Sequence, residues 1–227
     1  MAFTQPLIIE PTGNRPADAT VIILHGPNAR ANDFEYLARA LSLPADMAVR
    51  FVLPQATTRP ITAYDGREMA AWYDTFEATL RPWIDKVQLN ASAAYVQSLI
   101  DVEIAKGIDS RRIVVAGFSQ GGTVAYQAAL TYAQPLGGLL VMSAYLANAD
   151  ALRGHEANRH LPIEAQHGVH DPAVAESLGL ESVEHLEAQG YQPTYRTYDM
   201  AHGFCAEQLL DARRWLLQRL GATTLVA

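Results

Sequence analysis

Short apolar runs alternate with helix-patterned stretches along the whole chain, and this alternation points to a mostly parallel sheet joined by crossover helices. Ala19 to Leu24, Val49 to Leu53, Arg112 to Ala116, Gly137 to Met142, Pro162 to Gln166 and Thr194 to Tyr198 read as strands. Between them lie helical patterns. Asn32 with Glu35 opens the first, and Phe34, Leu37, Ala38 and Leu41 form its apolar face. Ser92 is expected to cap the second, which carries Val96, Leu99, Ile100 and Ile104 and stops at Gly107. A third runs from about Ser119 to Tyr132, and a fourth completes the segment Asp171 to Ala188. The last spans Phe204 to Leu220, with Leu209, Leu210, Leu216, Leu217 and Leu220 as core candidates. The chain has 227 residues, 49% of them hydrophobic, which suits one α/β domain over residues 1–227. One long connection stands out, from Pro54 to about Asn90, containing Trp72, Tyr73 and Phe76. Connections of that length inside a compact domain usually carry function.

Charge and cysteine content narrow the function classes. A formal net charge of −7, without a Lys/Arg-rich stripe, argues against nucleic acid as a partner. The one cysteine, Cys205, cannot form an intrachain disulfide, which fits the reducing cytoplasm. Met1 to Glu10 lacks a basic start followed by an apolar run, so no signal peptide is expected. Nor does any stretch approach the ~20 apolar residues of a membrane span.

The sharpest chemical signal is Gly117-Phe118-Ser119-Gln120-Gly121, a G-x-S-x-G match between a strand and a helix. A nucleophile on such a turn needs small flanking residues so that the two backbones can approach. The helix begins at the serine, so the Gln120 N–H points to where an oxyanion would form. A serine hydroxyl needs a base, and the base needs an orienting carboxylate, in the chain order serine, acid, histidine. His167, His170, His185 and His202 lie far enough along the chain. His202 sits between the last strand and the last helix, the expected place for the base, whereas His185 falls inside a helical pattern. Asp171 follows the preceding strand and is preferred as the acid over Asp199, which is only three residues before His202. His167, His170 and Asp171 make too few ligands for a metal centre, and Cys205 lies away from any elbow.

Taken together the motifs resemble the carboxylesterase, lysophospholipase and acyl-protein thioesterase family of small α/β-hydrolases. The resemblance rests on Leu24-His25-Gly26, Leu53-Pro54-Gln55-Ala56, Arg59-Pro60-Ile61-Thr62 and Met69 with Ala71-Trp72-Tyr73-Asp74. It continues through Gly117 to Gly122, His167-Gly168 with Asp171, and Tyr198-Asp199-Met200-Ala201-His202. It implies the α/β-hydrolase fold, a mostly parallel central sheet with helices on both faces. It also implies hydrolysis of small-molecule esters or thioesters with short to medium acyl groups, without metal or organic cofactor, and it allows a homodimer. The same resemblance carries the nucleophile to Ser119, the acid to Asp171 and the base to His202, and makes the loop around Trp72 an acyl-binding wall. A packing role for Trp72 and Tyr73 is the alternative.

One departure matters. The family commonly reads His-Gly-x-Gly early in the chain, and the third residue donates an oxyanion-hole N–H. Here that residue is Pro27, which has none. Asn28, with a backbone and a side-chain donor, is the expected replacement. Without one the chain would be a slow esterase, or a binding protein on a catalytic fold. A thioesterase, a lysophospholipase and a serine peptidase are the other readings of the same constellation.

Overall fold

The computed structural model describes residues 3–13, 15–77, 79 and 83–221. Its strands are β1 (Leu7–Ile9), β2 (Ala19–Leu24), β3 (Val49–Leu53), β4 (Thr58–Ile61), β5 (Arg67–Ala70), β6 (Ile113–Phe118), β7 (Gly138–Met142), β8 (Ile163–Gly168) and β9 (Thr194–Tyr198). The helices are α1 (Ala31–Ala40), α2 (Lys86–Ala105), α3 (Gln120–Thr131), α4 (Glu176–Ala188) and α5 (Ala206–Leu220). Seven strands form one sheet in the order β1-β3-β2-β6-β7-β8-β9. Only β1 runs antiparallel, pairing Leu7 with Leu53 and Ile9 with Phe51.

Strand periodicity divides the core into two layers. Ile22 and Leu24 face the layer built with α2, α3 and Leu186 of α4, while Ala19, Val21 and Ile23 face α1 and α5. Covered on both faces, β2 and β6 are buried almost throughout, which is why such strands read as continuous apolar runs. This is the α/β-hydrolase architecture. Between β2 and β6 the strand order reverses direction, and a crevice opens at the carboxyl ends of the strands there. Among the described residues no helix is long and apolar enough to cross a membrane.

Several local expectations need correction. The first helix is closed by Asp33, whose carboxylate accepts the Arg30 N–H at 2.8 Å, so Arg30 and not Asn32 is the cap residue. The second begins a turn and a half before Ser92: Asp85 caps it by accepting the N–H groups of Val87 and Gln88. Ser92 is instead buried inside that helix, and its hydroxyl donates to the Trp72 carbonyl at 2.5 Å. The long connection contains the β4–β5 hairpin, with Pro60 opposite Glu68. Leu210 projects from α5 at 52% exposure, while Leu216 and Leu220 are buried.

Candidate active site

The crevice forms where the loops following β2, β6, β7, β8 and β9 meet the segment from Ile61 to Tyr73. At the end of β6 the backbone turns so sharply into α3 that Ser119 adopts φ 55° and ψ −125°, a conformation unfavourable for a side-chain-bearing residue. Backbone hydrogen bonds hold it there. The Ser119 N–H donates to the Met142 carbonyl at 2.9 Å, and the Ser119 carbonyl accepts the Gly122 N–H at 2.9 Å and the Thr123 N–H at 3.2 Å. The flanking glycines are required by contact. A Cβ on Gly117 would lie 2.4 Å from the Gly121 carbonyl oxygen, and one on Gly121 would lie 2.4 Å from that of Leu24. The motif spacing is therefore a packing requirement of strand against helix.

Gln120 is the first residue of α3, so its N–H has no acceptor within the helix and points out of the helix start. Its side chain is occupied elsewhere. The Oε1 accepts the Trp72 N–H at 2.7 Å, and the Nε2 donates to the Tyr73 carbonyl at 2.9 Å. These bonds fasten the loop after β5 onto the elbow.

Asp171 and His202 lie on the loops that follow β8 and β9. The loops are stitched together: the Val169 N–H donates to the Tyr198 carbonyl at 3.0 Å, and the His170 N–H to the Met200 carbonyl at 3.1 Å. His202 Nδ1 approaches Asp171 Oδ2 to 2.7 Å. An ionised carboxylate only accepts, so Nδ1 carries the proton and Nε2 keeps its lone pair. The Asp171 side chain is completely shielded from solvent. Burial alone would raise its pKa, but the His167 and His202 rings and the Val174 N–H hold it well below the usual carboxylate range. Its Oδ1 accepts the N–H groups of Ala173 and Val174 at 2.8 and 2.9 Å.

Ser119, Gln120 and His202 line one cleft of about 600 Å³. Ile61, Tyr64, Met69 and Tyr73 form one wall, and Phe34, Phe118 and Phe204 form the other. The second wall is an aromatic stack. Phe118 lies 4.7 Å from both the His202 ring and the Phe204 ring, measured between centroids. The sequence places Phe34 on a helix face and Phe118 inside the serine motif without showing that both, with Phe204, line the cleft.

Two expected site residues are placed differently. Trp72 is fully buried and does not line the cleft; its indole N–H donates to the His25 carbonyl at 2.8 Å. The substrate-contact role is corrected to a packing role, and Tyr73 and Met69 face the cleft in its place. The Asn28 N–H is committed to the Ala70 carbonyl at 2.8 Å, which removes it as an oxyanion donor. Asn28 itself, at φ 59°, lines a neighbouring cavity with Gln55 and Thr57, whereas Pro27 and Ala29 line the cleft of Ser119. His25 is buried and structural. Its Nε2 accepts the Ala56 N–H at 3.1 Å, and burial lowers its pKa. His167 and His170 diverge: the first is buried against Val174, and the second pairs with Asp199 at the surface.

The phospholipase/carboxylesterase family model matches residues 5–219. Acyl-protein thioesterase 1 of Neurospora crassa is 35% identical over 97% of this chain and 94% of its own length. Acyl-protein thioesterase 2 of Zea mays superposes with a TM-score of 0.82 at 25% identity, covering 96% of this chain and 99% of that one. A Bacillus cereus carboxylesterase shares the fold at a TM-score of 0.75 and 16% identity, covering 94% of each chain.

Proposed function

This chain belongs to the phospholipase/carboxylesterase family, a family of serine hydrolases, and we propose that it hydrolyses carboxylic esters of short to medium acyl chains at Ser119. The observation that carries the reading is the 2.7 Å bond from His202 Nδ1 to Asp171 Oδ2, beside a strained serine elbow opening into the same cleft. In the first half-reaction His202 Nε2 takes the hydroxyl proton as Ser119 Oγ attacks the carbonyl carbon. Collapse of the tetrahedral intermediate breaks the ester bond, and His202 returns the proton to the leaving alcohol. Water then attacks the acyl-enzyme by the same route and releases the acid. Asp171 keeps the imidazole in the required tautomer and stabilises its protonated form. We place the reaction in the cytoplasm, on the strength of a single cysteine and no disulfide.

A thioester reading of the same site is favoured by the relatives named acyl-protein thioesterase. Steady-state rates on a p-nitrophenyl ester, an acyl thioester and a lysophospholipid of equal acyl length decide between them. The ester reading expects the two oxygen esters, the p-nitrophenyl ester and the lysophospholipid, to match or exceed the thioester in kcat/KM. A thioester exceeding both by tenfold or more would overturn it.

The oxyanion hole is the weak part of this machinery. Gln120 supplies one N–H, Pro27 supplies none, and the Asn28 N–H is spent on Ala70. Asn28 lines the neighbouring cavity and not the cleft of Ser119, so its side-chain amide does not restore the donor that Pro27 lacks. One oxyanion donor is worth about 10²–10³ in turnover. Pro27→Leu, which restores an N–H, is therefore expected to raise kcat on short esters by at least tenfold. Unchanged kcat would mean that the second donor is already fully replaced.

A further inference from the structure

His167 is a buried histidine that the proposed mechanism does not use, and it lies directly behind the proposed acid. It is the penultimate residue of β8, only 1% exposed. Its Nε2 lies 3.1 Å from the Val174 carbonyl oxygen and 3.5 Å from Asp171 Oδ2. Both neighbours only accept, so Nε2 carries the ring proton in the neutral tautomer. That N–H closes the turn from Asp171 to Val174, the same turn whose N–H groups hold Asp171 Oδ1. Its positive end also faces the oxygen that accepts the hydrogen bond from His202 Nδ1–H.

A second observation concerns α4. Gly179 sits inside this helix, where glycine costs about 1 kcal/mol relative to alanine. Its backbone φ is not in the left-handed region, so conformation does not require it. Contact does: a Cβ there would lie 2.4 Å from His167 Nδ1 and 3.0 Å from Tyr195 Oη. The helix has given up propensity at the one position that makes room for this ring. A ring needed only to fill space could be accommodated by a smaller apolar side chain beneath an alanine.

We infer that His167 is a positioning residue for Asp171, fixing the carboxylate so that Oδ2 meets His202 Nδ1. The inference rests on reading Asp171 as the catalytic acid. Losing the bond that closes the turn holding the buried carboxylate, together with a ring N–H 3.5 Å from that charge, corresponds to about a 10- to 100-fold change. That is the loss expected in kcat for His167→Leu, with KM within twofold of wild type because the ring does not line the cleft. His167→Gln places an amide N–H near the position of Nε2 and should recover kcat to within about fivefold.

The test is steady-state kinetics on a p-nitrophenyl ester for wild type, H167L, H167Q, G179A and D171N, with Tm measured for each. Low kcat in H167L and G179A at unchanged KM, with recovery in H167Q, supports the inference. If D171N is inactive while H167L and G179A turn over like wild type, the inference fails and the triad stands. If D171N keeps wild-type activity, the acid is misassigned and the inference falls with it. Should H167L fail to fold, G179A decides. It keeps every polar group of the site and presses most closely on the His167 ring, with Tyr195 Oη the next contact, so wild-type kcat in folded G179A overturns the proposal.

Discussion

Ser119→Ala is expected to lower kcat by about 10⁶, the loss measured when the serine of a comparable triad is removed. The size follows from what remains. Without Oγ there is no covalent intermediate, and His202 has no proton to take at the elbow. The cleft, the Gln120 N–H and the bound substrate persist, and such remnants are worth about 10³–10⁴ over water. The fold itself should be indifferent to the change. Ser119 is held through its backbone, by the Met142 carbonyl and the Gly122 N–H, and alanine retains both bonds. Relief of side-chain strain at φ 55° is small, because alanine carries the same Cβ. A purified S119A protein with unchanged Tm and no measurable turnover is the expected outcome, read by thermal melting and a p-nitrophenyl butyrate assay.

Asp171→Asn is expected to lower kcat by about 10⁴, through the tautomer of a residue that is not itself changed. The geometry fixes the direction in which the amide turns. Oδ1 accepts two N–H groups, from Ala173 and Val174, so an asparagine places its carbonyl oxygen there. Its NH₂ group then occupies the position of Oδ2, 2.7 Å from His202 Nδ1. A donor at that point demands a lone pair on Nδ1, which moves the ring proton to Nε2, and Nε2 can no longer act as a base. The same amide would also meet the N–H of His167. A stability signature accompanies the kinetic one. The Asp171 pKa is depressed in the fold, so its contribution is fully present above the unfolded value of ~3.9 and lost as pH falls below it. D171N should therefore lose stability less steeply than wild type between about pH 5 and pH 2 in denaturant titrations.

The parts of this site that the sequence makes legible are those imposed by the sheet. Ser119, Asp171 and His202 each follow a strand, and buried parallel strands read as apolar runs whose ends can be counted. The glycines at 117 and 121 are legible for the same reason, since a backbone approach leaves no room for Cβ. What stays hidden depends on orientation. Trp72 and Tyr73 are adjacent in a loop, and nothing in their order shows that the first turns into the core while the second faces the cleft. Asn28 offers two donors on paper, and its N–H is claimed by Ala70 from a hairpin that local patterning does not reveal. That hairpin is short and carries Pro60, which weakens any strand reading. β1 is three residues long at the sheet edge, below the length at which alternation is readable. The start of α2 is masked because Val87 stands at 79% exposure on the polar side, so the apolar stripe becomes regular only near Ser92.

The central claim is that Ser119 is an activated nucleophile, and a fluorophosphonate probe tests it most directly. Folded protein would be incubated with the probe, digested, and the modified residue mapped by mass spectrometry, with H202A treated in parallel. The account predicts stoichiometric modification at Ser119 in the wild-type protein and at least a thousandfold slower labelling in H202A. Folded wild-type protein that leaves Ser119 unmodified, or that labels equally fast without His202, would contradict it.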